Sequence, residues 1–178
     1  MFLKEENLVI RNATEEDAHI LCSWWNDGKV MAHAGFPNGL GTTPEAIAQG
    51  LANDSDETQR RLILEFDSMP VGEMSYRNIG NKAAEIGIKI CNPSKQNRGF
   101  GTRFLKMLLA SLLDEMGYEK IILDTNVNNT RAQHVYEKLG FKQVGVRVNA
   151  WKNQLGELQS SIDYELTREE FYKGEGKL

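Results

Sequence analysis

The stretch Ala84-Glu85-Ile86-Gly87-Ile88-Lys89-Ile90-Cys91-Asn92-Pro93-Ser94-Lys95-Gln96-Asn97-Arg98-Gly99-Phe100-Gly101-Thr102 decides how the chain is read. Ala84, Ile86, Ile88 and Ile90 alternate with Glu85, Gly87, Lys89 and Cys91, the period of a strand with two different faces. Asn92-Pro93-Ser94 ends that strand. Behind it, Phe104, Leu105, Leu108, Leu109, Leu112 and Met116 mark the apolar stripe of a long helix closed by Gly117. A strand, a loop with Gly99 and Gly101, and a helix make an anion-binding arrangement. Glycines let backbone N–H groups approach oxygens, and the helix start carries partial positive charge. Lys95, Arg98 and Arg103 add formal charge. Other phosphate motifs fit badly: there is no GxxxxGK[ST], and RGFGTRF lacks the third glycine of a dinucleotide fingerprint.

Outward from this segment the elements alternate in type. Leu8 to Ile10 reads as a strand, and Thr14 caps a helix to about Trp25, with Glu15, Glu16 and Asp17 in its first turn. His33 to Thr42 is a loop rich in Gly and Pro, and Thr43-Pro44 restarts a helix that ends near Leu51. Arg61 to Phe66 and Val71 to Tyr76 form two strands turning at Ser68-Met69-Pro70. Lys120 to Asp124 is a strand; Ala132, Val135, Tyr136 and Leu139 mark a short amphipathic helix closed by Gly140. Val144 to Val148 and Ile162 to Leu166 alternate as a hairpin about Asn153-Gln154-Leu155-Gly156. The tail from Lys173 to Leu178 should fray. The expectation is one domain over residues 1–178, its core from about 8 to 166, built on a single mixed sheet with helices on both faces.

Bulk properties exclude several classes. The 178 residues suffice for a core without staples; the composition, 40% hydrophobic and 26% charged, is that of a globular protein. A formal net charge of −4 argues against a nucleic-acid binder. Cys22 and Cys91 lie far apart with no CxxC or Cys/His cluster, so neither a metal site nor a disulfide scaffold is expected. The N-terminal MFLKEENLVIRN has no apolar run of the kind a signal needs, and no segment approaches a membrane span, which makes the cytoplasm the expected compartment.

A second motif follows at Asn129-Thr130-Arg131-Ala132-Gln133-His134-Val135-Tyr136-Glu137-Lys138-Leu139-Gly140-Phe141. Together with Gln96-x-x-Gly99-x-Gly101, it resembles the GCN5-related N-acetyltransferase (GNAT) superfamily. Within that superfamily the chain is most similar to the branch of the ribosomal-protein N-terminal acetyltransferases. The resemblance is sharpest from Glu85 to Phe141. It implies a mostly antiparallel sheet splayed at its centre, with acetyl-CoA as co-substrate and no metal. The acetyl group would pass directly to a primary amine in a ternary complex.

The roles it implies fall on particular residues. Gln96, Arg98, Gly99, Phe100, Gly101 and Thr102 would cradle the pyrophosphate, with Arg103 as a further partner. Ile90 and Cys91 would pair with the pantetheine amides, and Asn129 would reach cofactor atoms while capping its helix. Tyr136 would protonate the departing thiolate. Glu85 is the first candidate for general base, with Glu73 and Asp124 behind it. Cys91 has no evident base and is not expected to act as nucleophile. His134 should face solvent, and His33 sits in a loop. Trp24, Phe36 and Trp151 would line the acceptor site. The acceptor stays open among a protein N-terminus, a polyamine, an amino acid and an aminoglycoside. A catalytically silent CoA-binding module is the alternative, and a homodimer is a further possibility for assembly.

Overall fold

In the computed structural model, which describes residues 1–96 and 98–175, β1 (Phe2–Glu5) and β2 (Leu8–Asn12) open the chain as a hairpin. Sequence periodicity shows only β2. The partner strand is short, charged and mostly exposed, so it lacks an apolar face to betray it. A 3-10 turn over Glu15–Asp17 leads into α1 (Ala18–Trp25), followed by α2 (Gly28–Met31), a second turn at Ala32–Ala34 and α3 (Pro44–Leu51). The expected loop from His33 thus begins inside this turn, and α2 precedes it.

The rest runs β3 (Gln59–Phe66), β4 (Met69–Asn78), β5 (Ala83–Ile90), α4 (Phe100–Ala110), β6 (Lys120–Asn126), α5 (Thr130–Lys138), β7 (Lys142–Lys152), β8 (Leu158–Thr167) and α6 (Arg168–Glu175). A π-helical turn, Ser111–Glu115, extends α4 towards Gly117. The β3–β4 turn uses Asp67 and Ser68, both at positive φ, one residue earlier than composition suggests. Residues 173–175 belong to α6; 176–178 and Asn97 of the glycine loop lie outside the described residues.

All eight strands form one sheet in the order β1-β2-β3-β4-β5-β6-β8-β7. Every neighbouring pair is antiparallel except β5–β6, which the α4 crossover makes parallel. That parallel pair is in register only at Ala83↔Lys120, Ala84↔Ile121 and Glu85↔Ile122. Beyond Glu85 the two strands part, and the sheet opens at its centre. The larger core packs α4, Tyr136 and Leu139 of α5, and Phe171 of α6 on one face. A smaller cluster, Ala18, Leu21, Ile47, Leu51 and Ile63, holds α1 and α3 on the other.

The entry to α1 is fixed by charge. Arg11 on β2 grips Asp17 with two bonds, 2.7 and 2.8 Å, and reaches Glu65 on β3 at 2.7 Å. Asp17 also accepts from the Thr14 amide at 2.8 Å. Burial pushes the Asp17 pKa up, but Arg11 and the Thr14 amide outweigh it and leave the carboxyl below its usual 3.8. Asp17→Asn should therefore cost about 2 kcal/mol at neutral pH, by denaturant titration. A depressed folded pKa stabilises fully above the unfolded value and is lost as pH falls through the folded one. The gap between wild type and variant should hold above pH 3.8 and close below it.

Candidate active site

The opening between β5 and β6 leads into a cleft of about 920 Å³. Its floor is Ile86 to Ile90 on one side and Asp124, Thr125 and Asn126 on the other; α4 and α5 supply Phe100, Gly101, Thr102, Ala132, Val135 and Tyr136.

Strand alternation says which backbone groups face this gap. Cys91 N–H donates to the Val71 carbonyl at 2.9 Å, and Ile79 N–H donates to Ala83 at 3.0 Å. The odd-numbered residues of β5 therefore bond β4, and the even-numbered ones turn their N–H and C=O towards the opening. Ile88 and Ile90 are the residues free to pair with an extended ligand there, in the manner of strand addition. The Ile90 carbonyl is held by Gln96 Nε2 at 2.8 Å, which leaves its N–H. Ile90 thus presents its N–H to the gap, as Ile88 does, whereas the Cys91 amide is turned to β4. Cys91 is buried, its amide is committed to β4, and burial pushes its thiol well above the usual range.

The glycine loop ends where α4 begins. Gly99 caps the helix at φ +79°, a left-handed conformation that favours glycine. The first intrahelical bond there is Arg103 N–H to Gly99 O, 3.1 Å, so the amides of Phe100, Gly101 and Thr102 have no acceptor within the helix. A Cβ at Gly101 would meet only Ile90 Cγ1, at 3.9 Å, so its side-chain position opens onto the cleft. An anionic diphosphate fits such a cradle of amides, helix dipole and open space.

The cations around it differ from those expected. Arg98 is exposed and does not line the cleft, because its side chain leaves the loop towards solvent. Arg103 is drawn to Glu5 and Glu6 of the first hairpin, at 2.8 and 2.9 Å. Lys95 does line the cleft, and Arg131 joins it there. Lys95 sits 4.2 Å over the Phe66 ring, itself tilted against Phe100 with centroids 4.6 Å apart, and Arg131 bonds Gln96 Oε1 at 3.4 Å. Asn129 caps α5 by accepting the Ala132 amide at 3.3 Å and lines the same cleft.

Tyr136 packs on Phe141 and Tyr164, ring centroids 5.8 Å away in each case, yet its hydroxyl borders the cleft. No described residue hydrogen-bonds that hydroxyl. Burial, then the negative charge of Asp124, pushes its pKa up to about 12. His134, two residues before it, is exposed as helical spacing requires.

A second cavity of about 420 Å³ opens on the α1 face and meets the cleft along Ile86 to Lys89. Trp25, Phe36, Glu73, Arg77 and Glu85 line it. Glu85 thus stands beside the point of divergence but on the opposite face from Tyr136, ion-paired to Arg77 across β4. Glu73 is more deeply set, accepting from Trp25 Nε1 at 2.9 Å and Lys89 Nζ at 3.2 Å. Asp124 lines the first cleft and is paired with Arg147 at 2.6 Å.

Of the expected acceptor aromatics, Phe36 borders the second cavity and Trp151 the first. Trp24 borders neither; it packs on the smaller core cluster, and its neighbour Trp25 meets the cavity. Both tryptophans pack on that cluster, and Trp25 is the one of the two that also borders the cavity.

The wall beside Trp151 joins two distant segments. Gln154, in the β7–β8 turn, accepts from Asn38 N–H at 2.9 Å and donates to Gly39 O at 3.0 Å; its own amide donates to Gly35 O at 2.8 Å. Trp151 packs so closely on Gly35 that a Cβ there would come within 2.5 Å of the indole. No sequence motif marks Gln154 or Lys89; only the fold brings them to the site.

A sheet parted between parallel central strands, with a glycine-capped helix start at the mouth, is the architecture of an acyl-CoA-dependent acyltransferase. The family model "Acetyltransferase (GNAT) domain" matches residues 7–142. The uncharacterized N-acetyltransferase YnaD of Bacillus subtilis is 26% identical over 147 residues, 82% of this chain and 85% of that protein. An aminoglycoside N(6')-acetyltransferase type 1 of Klebsiella pneumoniae is 25% identical over 153 residues, 79% of this chain and 76% of that one. The solved structure of RimL, a ribosomal L7/L12 alpha-N-protein acetyltransferase in complex with coenzyme A, superposes with a TM-score of 0.83 at 18% identity. That match covers 94% of this chain and 98% of RimL. The chain belongs to the GNAT acetyltransferase family. It is an N-acetyltransferase that uses acetyl-CoA and takes amines as acceptors.

Proposed function

We propose that transfer is direct, within one complex of both substrates, with Tyr136 as the acid and Glu85 as the base. Acetyl-CoA supplies the acetyl group as a thioester. The backbone of Ile88 and Ile90, the amides of Phe100 to Thr102, and the side chains of Gln96 and Asn129 hold it. The observation that carries the reading is the Tyr136 hydroxyl. It borders the cleft without a protein partner, and its raised pKa keeps it a proton donor throughout the neutral range.

Glu85 works through water, because its carboxylate borders the second cavity, beside the floor residues shared with the cleft. Glu73 is the reserve candidate, already committed to Trp25 and Lys89, and Asp124 is bound to Arg147. Glu85→Gln should lower kcat about 100-fold and flatten the acid limb of the pH–rate profile, measured by thiol release. A wild-type rate across the neutral range would place the base elsewhere.

The acceptor is a primary amine that enters between α2 and the β7–β8 hairpin, past His33, Trp151 and Phe36. An aminoglycoside amine is acetylated by one relative and a protein N-terminus by RimL, so both chemistries are accessible to this scaffold. The acidic balance and the absence of a membrane-crossing helix among the described residues support work in the cytoplasm without nucleic acid or membrane. The exposed Val144, Val146 and Val148 on edge strand β7 support a homodimer.

A further inference from the structure

We propose that the acceptor carries a carboxylate close to its reactive amine, as an amino acid or an acidic peptide N-terminus does. The proposal rests on the acetyl-transfer reading above and names the substrate class of that site. It comes from the pairing of charges around the two cavities. Every carboxylate that lines either one, among the described residues, is already engaged. Asp124 is held by Arg147 at 2.6 Å, Glu73 by Lys89 at 3.2 Å and Trp25 Nε1 at 2.9 Å, and Glu85 by Arg77. A polyamine or aminoglycoside needs the reverse: carboxylates facing the cavity with no cation of their own.

The cations are distributed differently. Lys95 and Arg131 stand at the Gln96 side, where the diphosphate cradle lies. Lys29 and His33 line the opposite part of the cleft, on α2 and the turn that packs against β6. Neither has an ion-pair partner among the described residues. Asp27, the carboxylate nearest Lys29 in sequence, is turned to cap α2 by accepting the Lys29 amide at 2.8 Å, and it does not line the cleft. Lys89 also borders the cleft, its charge partly answered by Glu73. An acceptor with one anionic group beside its amine would place that group against Lys29. A second ammonium would face Lys29 and Lys89 with nothing to neutralise it.

The test pairs acceptors that differ in one carboxylate: glutamine against glutamine amide, and an N-terminal Asp-Ala peptide against its Asn-Ala counterpart, with spermidine as the polycation. Thiol release from acetyl-CoA gives kcat and KM; thermal shift with CoA present gives binding. The charged member of each pair should show a KM roughly twofold to fivefold lower, the size expected of an exposed ion pair. Lys29→Glu should erase that difference in KM within each pair. Glutamine and the peptide separate the two sources of the same chemistry. Preferred turnover of spermidine, or equal KM within both pairs, overturns the inference and leaves acetyl transfer standing. No turnover of any acceptor, with CoA still stabilising the protein, overturns the acetyl-transfer reading and the inference with it.

Discussion

Tyr136→Phe should lower kcat by about 30-fold while leaving the KM for acetyl-CoA within about twofold and the melting temperature unchanged. The three parts follow from separate observations. The ring is a core element between Phe141 and Tyr164, and phenylalanine keeps that packing. The hydroxyl has no described protein partner, so its removal strands no donor or acceptor. Its pKa, pushed up to about 12 by burial and by Asp124, makes it a donor at every practical pH. The loss stays well short of complete inactivation because a thiolate of ordinary pKa, near 8.5, departs with little help. Steady-state kinetics at saturating acceptor, with a parallel thermal melt, reads all three. A variant within twofold of wild type in kcat would remove Tyr136 from the proton's path.

Gly101→Ala separates binding from stability in the opposite sense. Gly101 lies in the first turn of α4 and has no need of a left-handed backbone, so alanine should stabilise the helix by up to about 1 kcal/mol. Its added methyl would point into the open space beside Ile90, where the proposed cradle would receive the diphosphate. The KM for acetyl-CoA should rise about tenfold to a hundredfold while the melting temperature holds or climbs. Gly99→Ala should behave differently. Nothing lies within 4 Å of its Cβ, but the φ of +79° makes the substitution strained, so the protein itself should weaken by about 1 kcal/mol. An unchanged KM in Gly101→Ala would mean that the cradle lies elsewhere on the loop.

Much of this arrangement is legible in the chain because it is local. The alternation from Ala84 to Ile90, the stop at Asn92-Pro93, the glycines and the α4 stripe all sit within one continuous stretch, as do Asn129 and Tyr136 on α5. What sequence reading misses depends on distant pairing. Whether Ile88 or Cys91 faces the gap is decided by which residues bond β4, and that phase is set by the β4–β5 hairpin. Arg103 looks available to a phosphate until the first hairpin places Glu5 and Glu6 beside it. Trp24 reads as an acceptor-site residue, but its neighbour Trp25 is the one that borders a cavity. Trp25 packs on the smaller core cluster as well, and its indole N–H reaches Glu73. β1 and α2 escaped because a four-residue element carries too little pattern to show a period.

Gln154 ties Asn38 and Gly39 across 116 and 115 positions of sequence, and Trp151 fills the space that Gly35 leaves. In the proposed acceptor site, preference would therefore be written in two places at once. A relative that changed the loop alone would lose its fastening, and one that changed the hairpin alone would leave the loop without its template. Divergence towards a new amine must then proceed by paired changes. Grafting either segment by itself onto another member of the family transfers an edge of the pocket without the pocket.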